Sequence, residues 1–297
     1  MKLVSLKTPT AGNSRRQCDH CLVRHVGLCN AFADGSGLDL SDLEDAHFPV
    51  RVFDSNDAIF SQGEGSDNIF NVVSGWVGLH QDMPDGRRHI SQFLLPGALF
   101  GVKPRHSRFS HGATTITTAS ICAIPTSRVD DLRLMYPAFN ERFIWLLERE
   151  NHFANQALTM IGQGTSLERV ARILWGLATR ISAPEAVRPG VRLRAPLTQR
   201  LIADATGLTA IHVNRVIRRL REQALVEFHD GVMVIDDPAR LASLANEGSN
   251  SDSRWESGAW NMEGIPSADW RMPPKAPPII PGWLLEARKR RTTGLAS

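Results

Sequence analysis

At 297 residues the chain is long enough for two ordinary domains, each with its own core, and its 42% hydrophobic and 22% charged residues match a soluble globular protein. A formal net charge of +3 is too small to decide a partner. No apolar run approaches a membrane span ("FIWLL" at 143–147 ends at Glu148) and no apolar signal core precedes the first cysteine, so the expectation is a cytoplasmic protein with no membrane partner.

Residues 1–16 are polar and aperiodic and read as a mobile leader. The stretch "CDHCLVRHVGLC" (18–29) then gathers Cys18, Cys21 and Cys29, three of the four cysteines, with the fourth at Cys122. In a reducing compartment such clustering points to metal ligands or redox-active thiols rather than a disulfide frame. "DLSDLEDA" (39–46) reads as a short helix with Ser41 as N-cap, which closes an N-terminal segment of residues 1–47. From Phe48 the pattern becomes short β-type runs, with turns at Gly63, Gly65, Gly75, Gly86 and Gly97 and a further strand region in "ATTITTASICAIP" (113–125). Regular strands separated by glycine turns predict an antiparallel roll over 48–136.

Helical spacing takes over near Pro137. Ile144, Asn151 and Leu158 recur every seven residues, as do Leu147, Ala154 and Ile161, which gives an a/d-like seam on one long helix over 137–163. Such a stripe packs either on its own domain or against a second copy, and a lone Asn at an a position is a device for fixing a two-chain register. Gly162 and Gly164 predict a hinge.

Beyond the hinge, residues 164–245 carry a helix near 166–181 and then two further helices. Thr198 caps the first, with Leu201, Ile202 and Ala205 inward, and Gly207 ends it; Thr209 caps the second, with Val213, Val216, Ile217 and Leu220 as its buried stripe. "VEFHDGVMVI" follows as a hairpin turning at Asp230-Gly231. Helix-turn-helix plus hairpin is a winged helix. Residues 165–245 hold twelve arginines against eight acids, a balance suited to a polyanion. With its apolar stripe facing inward, the second helix presents Ile211, His212, Asn214, Arg215, Arg218, Arg219 and Arg221. Arg215 is the specificity candidate, because an arginine fork fits guanine O6 and N7, while Asn214 and His212 suit base edges or phosphate. Arg218, Arg219 and Arg221 lie further along and suit phosphates. A solvated basic face on a packing helix is the alternative. Residues 246–297, rich in Gly, Ser and Pro with isolated tryptophans, read as a disordered tail.

In this order the elements resemble the bacterial regulators typified by the cyclic-AMP receptor protein and the fumarate and nitrate reduction regulator (CRP/FNR), over roughly 18–245. "FSQGEGSDNIFNVVSGWVGL" resembles the family's roll, and "GLTAIHVNRVIRRLREQALV" its recognition helix and the start of its wing. The resemblance implies an α+β chain with a cyclic-nucleotide-binding-like β-roll, a long dimerisation helix and a C-terminal winged helix-turn-helix. It implies a homodimer on pseudo-palindromic double-stranded DNA, RNA polymerase as a partner touched by exposed loops such as "MPDGRR" (83–88), and no enzymatic activity.

The cyclic-nucleotide branch of that family uses a Gly-Glu pair and an Arg-Ser/Thr pair; here Gly101 is followed by Val102, and Arg108-Phe109 supplies no such clamp, so a cyclic nucleotide is not expected. Cys18, Cys21, Cys29 and Cys122, with a C-x2-C-x7-C front, resemble the layout of the cluster-bearing FNR branch and imply a four-iron four-sulfur cluster that senses oxygen or redox state. From spacing alone a zinc site of the three N-terminal cysteines with His20 or His25 stands equal to it, and a thiol switch is a third reading. Aligned on "GLT", Ile211 stands where the FNR helix carries glutamate and Asn214 where it carries serine, so the standard FNR half-site is not expected. The competing function classes are a regulator that binds a small effector in the roll and a cupin-like enzyme; His106 and His111 show no cupin metal spacing.

Overall fold

The computed structural model describes residues 21, 23–32, 48–182 and 186–245; the helix expected at 39–46, the stretch 1–16 expected to be mobile and the stretch 246–297 expected to be disordered lie outside them. Eight short strands come first: β1 (Val50–Phe53), β2 (Ala58–Phe60), β3 (Asn68–Ser74), β4 (Val77–Asp82), β5 (Arg88–Leu94), β6 (Leu99–Phe100), β7 (Gly112–Thr115) and β8 (Ala119–Pro125). They form two four-stranded sheets, β1-β8-β3-β6 and β2-β7-β4-β5, with antiparallel pairing in each. One tight turn needs its glycine: Gly75 has φ of 82°, and a Cβ there would lie 2.4 Å from the Thr118 carbonyl oxygen.

Side chains alternate across each strand and give the first sheet two apolar faces. Phe70 and Val72 of β3, with Ala119, Ile121 and Ala123 of β8, face the roll interior, where they meet Phe60, Phe100 and Phe109. Phe60 stacks on Phe109 with ring centroids 3.8 Å apart and lies 5.5 Å from Phe70. Ile69 of β3 and Ile124 of β8 belong to a second cluster on the outer face.

Two helices cover that outer face: α1 (Thr126–Met135) and α2 (Pro137–Gln163). The sequence pattern did not announce α1, because Val129 and Leu132 are its only buried residues and two positions make no period. Pro137 opens α2, which spans about 40 Å at 1.5 Å per residue. Its buried face is Phe139, Arg142, Phe143, Leu146, Arg149, Glu150 and Met160. The expected seam lies beside that face, with Ile144, Asn151 and Leu158 exposed and Leu147, Ala154 and Ile161 half-buried, Leu147 packing on the domain's own outer cluster. Gly162 lies inside α2 rather than at a hinge, since one exposed glycine costs a helix only about 1 kcal/mol. The break falls at Gly164, where a Cβ would sit 2.7 Å from the Met160 carbonyl oxygen.

The remainder is a winged helix. It comprises α3 (Ser166–Ile181), β9 (Val191–Arg194), α4 (Gln199–Thr206), α5 (Ala210–Glu222), β10 (Val226–His229), β11 (Val232–Ile235) and α6 (Pro238–Leu244). Thr165 and Glu168 form a reciprocal capping box at the start of α3. Gly207 ends α4 in the left-handed conformation. Asp230 and Gly231 both have positive φ, as a type I′ hairpin turn between β10 and β11 requires. β9, not anticipated from sequence, adds a third strand beside β11.

The apolar core of this unit continues into the roll. Ile90, Phe93 and Leu95 belong to the same buried cluster as Leu174, Leu177, Ile202 and Leu220. At its edge, Arg180 Nη1 donates to the Phe93 carbonyl oxygen at 2.9 Å, and His89 Nδ1 meets the Asp204 carbonyl oxygen at 2.9 Å. Among the described residues no helix is long and apolar enough to cross a membrane.

Candidate nucleic-acid interface and cysteine site

The helix α5 is held by its own sequence. Thr209 Oγ1 accepts the His212 amide at 3.2 Å, which satisfies one of the four donors that a helix start leaves unpaired. Val213, Val216, Ile217 and Leu220 are buried, and this stripe fixes which way the rest of the helix points. Ile211, His212, Asn214, Arg215, Arg218, Arg219 and Arg221 are exposed, Ile211 at 69%. Arg218 pairs with Glu222 at 3.2 Å, whereas the Arg215 side chain makes no hydrogen bond or ion pair among the described residues. The Arg215 guanidinium is therefore available without breaking anything. Arg192 and Arg194 on β9 and Arg200 in the first turn of α4 are also exposed cations of this unit, which the sequence reading did not single out because their placement depends on the wing sheet and the turn.

The cysteines meet the fold on the outer face of the first sheet. Cys122 is in register with Val50 and Asn71 and lies on the outward side of β8 with Ile124, not on the interior side with Ile121. A one-turn 3-10 helix at Leu28–Phe32 buries Leu28 and Ala31 in the same outer cluster, and Cys29 and Cys122 both pack against it, each half-buried. Cys21 is half-buried, and its carbonyl oxygen accepts the Arg24 amide at 3.1 Å. Cys18 and His20 lie outside the described residues, and His25 is exposed. Among the described residues no three metal-ligating side chains gather around one point. What the structure brings to one apolar cluster is the third thiol of the segment and the strand thiol, as a joint ligand set needs, and thiols are the donors that iron–sulfur clusters take.

Phe60, Phe70, Phe100 and Phe109 pack in the roll interior, Gly101 approaches Phe70 so closely that a Cβ would lie 2.7 Å from its ring, and Arg108 Nη1 donates to the Gly63 carbonyl oxygen at 2.8 Å. A polar cleft of about 660 Å³ lies outside the barrel, between β4, β5, β7 and the start of α4. At its wall His80 Nε2 lies 2.9 Å from Thr114 Oγ1. Burial first, and the Arg88 guanidinium second, hold the His80 pKa below its ordinary value; burial lowers His111 likewise. The exposed turn at 83–88 is tied by Arg88 to Asp82 at 2.6 Å and by Arg87 to Asp85 at 2.8 Å.

Comparison with known proteins matches this arrangement part by part. Residues 50–136 match the cyclic nucleotide-binding domain and residues 168–244 the Crp-like helix-turn-helix domain. Over 249 residues the chain is 32% identical to the transcriptional activatory protein AadR of Rhodopseudomonas palustris, covering 81% of this chain and 98% of that protein. The chain belongs to the CRP/FNR family of transcription regulators. A second relative within the family, the nitrogen fixation regulation protein FixK of Bradyrhizobium diazoefficiens, is 31% identical over 77% of this chain and 93% of its own. The solved structure of FixK2 from Bradyrhizobium japonicum shares the fold with a TM-score of 0.59 at 24% identity, covering 66% of this chain and 96% of that one. CRP/FNR regulators bind DNA as dimers, and α5 lies within the matched helix-turn-helix domain.

Proposed function

We propose that this CRP/FNR regulator responds to oxygen or redox state through a four-iron four-sulfur cluster held by Cys18, Cys21, Cys29 and Cys122, and that the state of this site sets dimerisation and DNA affinity. The observation that carries the reading is the outward face of Cys122, which packs on the same apolar cluster as Cys29. When bound, such a cluster supplies reactivity toward oxygen. The chain supplies the rest. Leu28 and Ala31 seat the segment on the roll, α2 lies across the same cluster, and the seam Ile144, Leu147, Asn151, Ala154, Leu158 and Ile161 runs along α2 beside its buried face. Pairing along that seam offers two copies of α5 to successive major-groove faces of a pseudo-palindrome. The exposed turn at 83–88 is the part that would meet RNA polymerase.

Anaerobic purification with iron, zinc and sulfide assays tests this. Iron and sulfide in equal amount, with a visible absorption that bleaches in air together with loss of DNA affinity, is the expected result. Zinc without sulfide, or DNA binding indifferent to air and to cysteine substitution, refutes it. An effector-sensing regulator would then be the better reading, with the cleft outside the barrel as the place to look.

A further inference from the structure

The side chain that joins the cysteine segment to α2 is not a cysteine. Arg142 lies on the buried face of α2 with 0% of its surface exposed. Its Nε donates to the Gly27 carbonyl oxygen at 3.1 Å and its Nη2 to the Val26 carbonyl oxygen at 2.5 Å, across 115 positions of sequence. The guanidinium also lies 4.3 Å from the centroid of the Trp145 ring. Two residues further along the helix, Ile144 opens the seam and is 52% exposed.

The two carbonyls are held from the other side as well. A Cβ on Gly27 would lie 3.0 Å from Asn71 Nδ2 and 3.1 Å from the Val23 carbonyl oxygen, so only glycine fits this approach without displacing a neighbour. Val26 packs on the turn at Gly97, where a Cβ would lie 2.9 Å from Val26 Cγ2. Asn71 is the register partner of Cys122, is buried, and leaves its Oδ1 without a hydrogen bond. Val26 and Gly27 are thus wedged between the cysteine-bearing strand pair and the helix. Burial, with Arg149 nearby, brings the Arg142 pKa down to about 9, which leaves it a cation at neutral pH. Loss of these two acceptors by a buried cation is unfavourable, which gives departure of the segment a cost on the helix.

We propose that Arg142 is the positioning residue that passes docking of the cysteine segment to the dimer helix. With Val26 and Gly27 in place, Nε and Nη2 of the guanidinium are paired and the turns of α2 that carry Ile144 and Leu147 are held. With the segment withdrawn, the guanidinium turns toward other acceptors and those turns lose order. This rests on the proposed function for its stimulus, whereas the coupling is a property of the chain and is tested without reference to what the thiols hold.

The test is a double-mutant cycle on the full chain with Arg142→Gln and Gly27→Val, read by the dimer dissociation constant in sedimentation and by amide exchange at residues 23–32 and 137–150. Loss of a buried charged donor predicts about tenfold faster exchange at both stretches and about tenfold weaker dimers, with β3 to β8 unchanged. Gly27→Val does the same alone and adds less than about twofold once Arg142 is gone, because both substitutions cut one link. Additive effects, or faster exchange at 23–32 with none at 137–150, overturn the proposal. Should Arg142→Gln loosen the whole roll, Arg142→Lys takes its place in the cycle: a single ammonium keeps the charge but not the fork, and additivity there overturns the proposal equally. Iron and sulfide assayed on the same samples report separately on the cluster; their absence would sink the oxygen reading and leave the cycle to stand or fall alone.

Discussion

Arg215→Ala is the sharpest probe of the DNA interface. The side chain is exposed and makes no hydrogen bond or ion pair among the described residues, so its removal leaves the protomer intact, within about 0.5 kcal/mol as for other surface changes. The two-point contact with guanine expected of this fork on DNA is worth about 1–3 kcal/mol. A dimer would make that contact twice, so the expected loss on the full site is about 2–6 kcal/mol, or roughly thirty-fold to twenty-five-thousand-fold in affinity. The assay is competition binding at fixed salt against a panel in which each half-site position carries all four bases in turn. The expected result is an unchanged melting temperature and relaxed preference at one position of each half-site. Uniform weakening across the panel, with the salt slope reduced by about one unit per protomer, would assign Arg215 to a phosphate and refute the reasoning.

Three further outcomes are expected. The seam carries no acid from Asn151 to Ile161, with Ala154 half-buried at its centre, so air-exposed protein should retain a measurable dimer in sedimentation; Ala154→Asp sets a like charge opposite itself and should make dissociation in air complete. Leu220→Ala removes a fully buried side chain from the core that fixes α5 and should lower stability by about 2–5 kcal/mol, seen as a shift in urea midpoint with DNA affinity lost in parallel. Because burial lowers the His80 and His111 pKa values in the fold, the unfolded chain binds more protons below the ordinary value of 6.5. Their contribution to stability is therefore complete above pH 6.5 and declines as pH falls through it; urea midpoints on either side of that pH check this, and His80→Gln should flatten the dependence.

Local chemistry made much of this fold readable. Thr198, Gly207 and Thr209 mark helix ends by what their own atoms do within four residues, and Asp230-Gly231 marks a turn by the backbone angles it tolerates. The buried stripe of α5 follows from spacing alone. The winged helix was therefore legible as a unit, although β9 was not, since its four residues become a strand only by pairing with β11. The short α1 was missed for a similar reason: its two inward residues find their partners on β8 and α2 rather than along the helix. Cysteine spacing suggested a site but left zinc and iron–sulfur level, because ligand type and count are shared between them. Arg142 and Asn71 could not be found at all. Neither stands in a motif, and their significance comes from carbonyls and strands distant in sequence.

The shared cluster around Ile90, Phe93 and Leu95 bears on how regulators of this shape can trade parts. Excised at Ser166, the winged unit would carry away a bare greasy patch where the barrel strand had been, and the barrel would keep its counterpart. A hybrid that joins this reader to another sensor must therefore import a compatible β5 along with it, or accept a reader whose angle to the operator is no longer set.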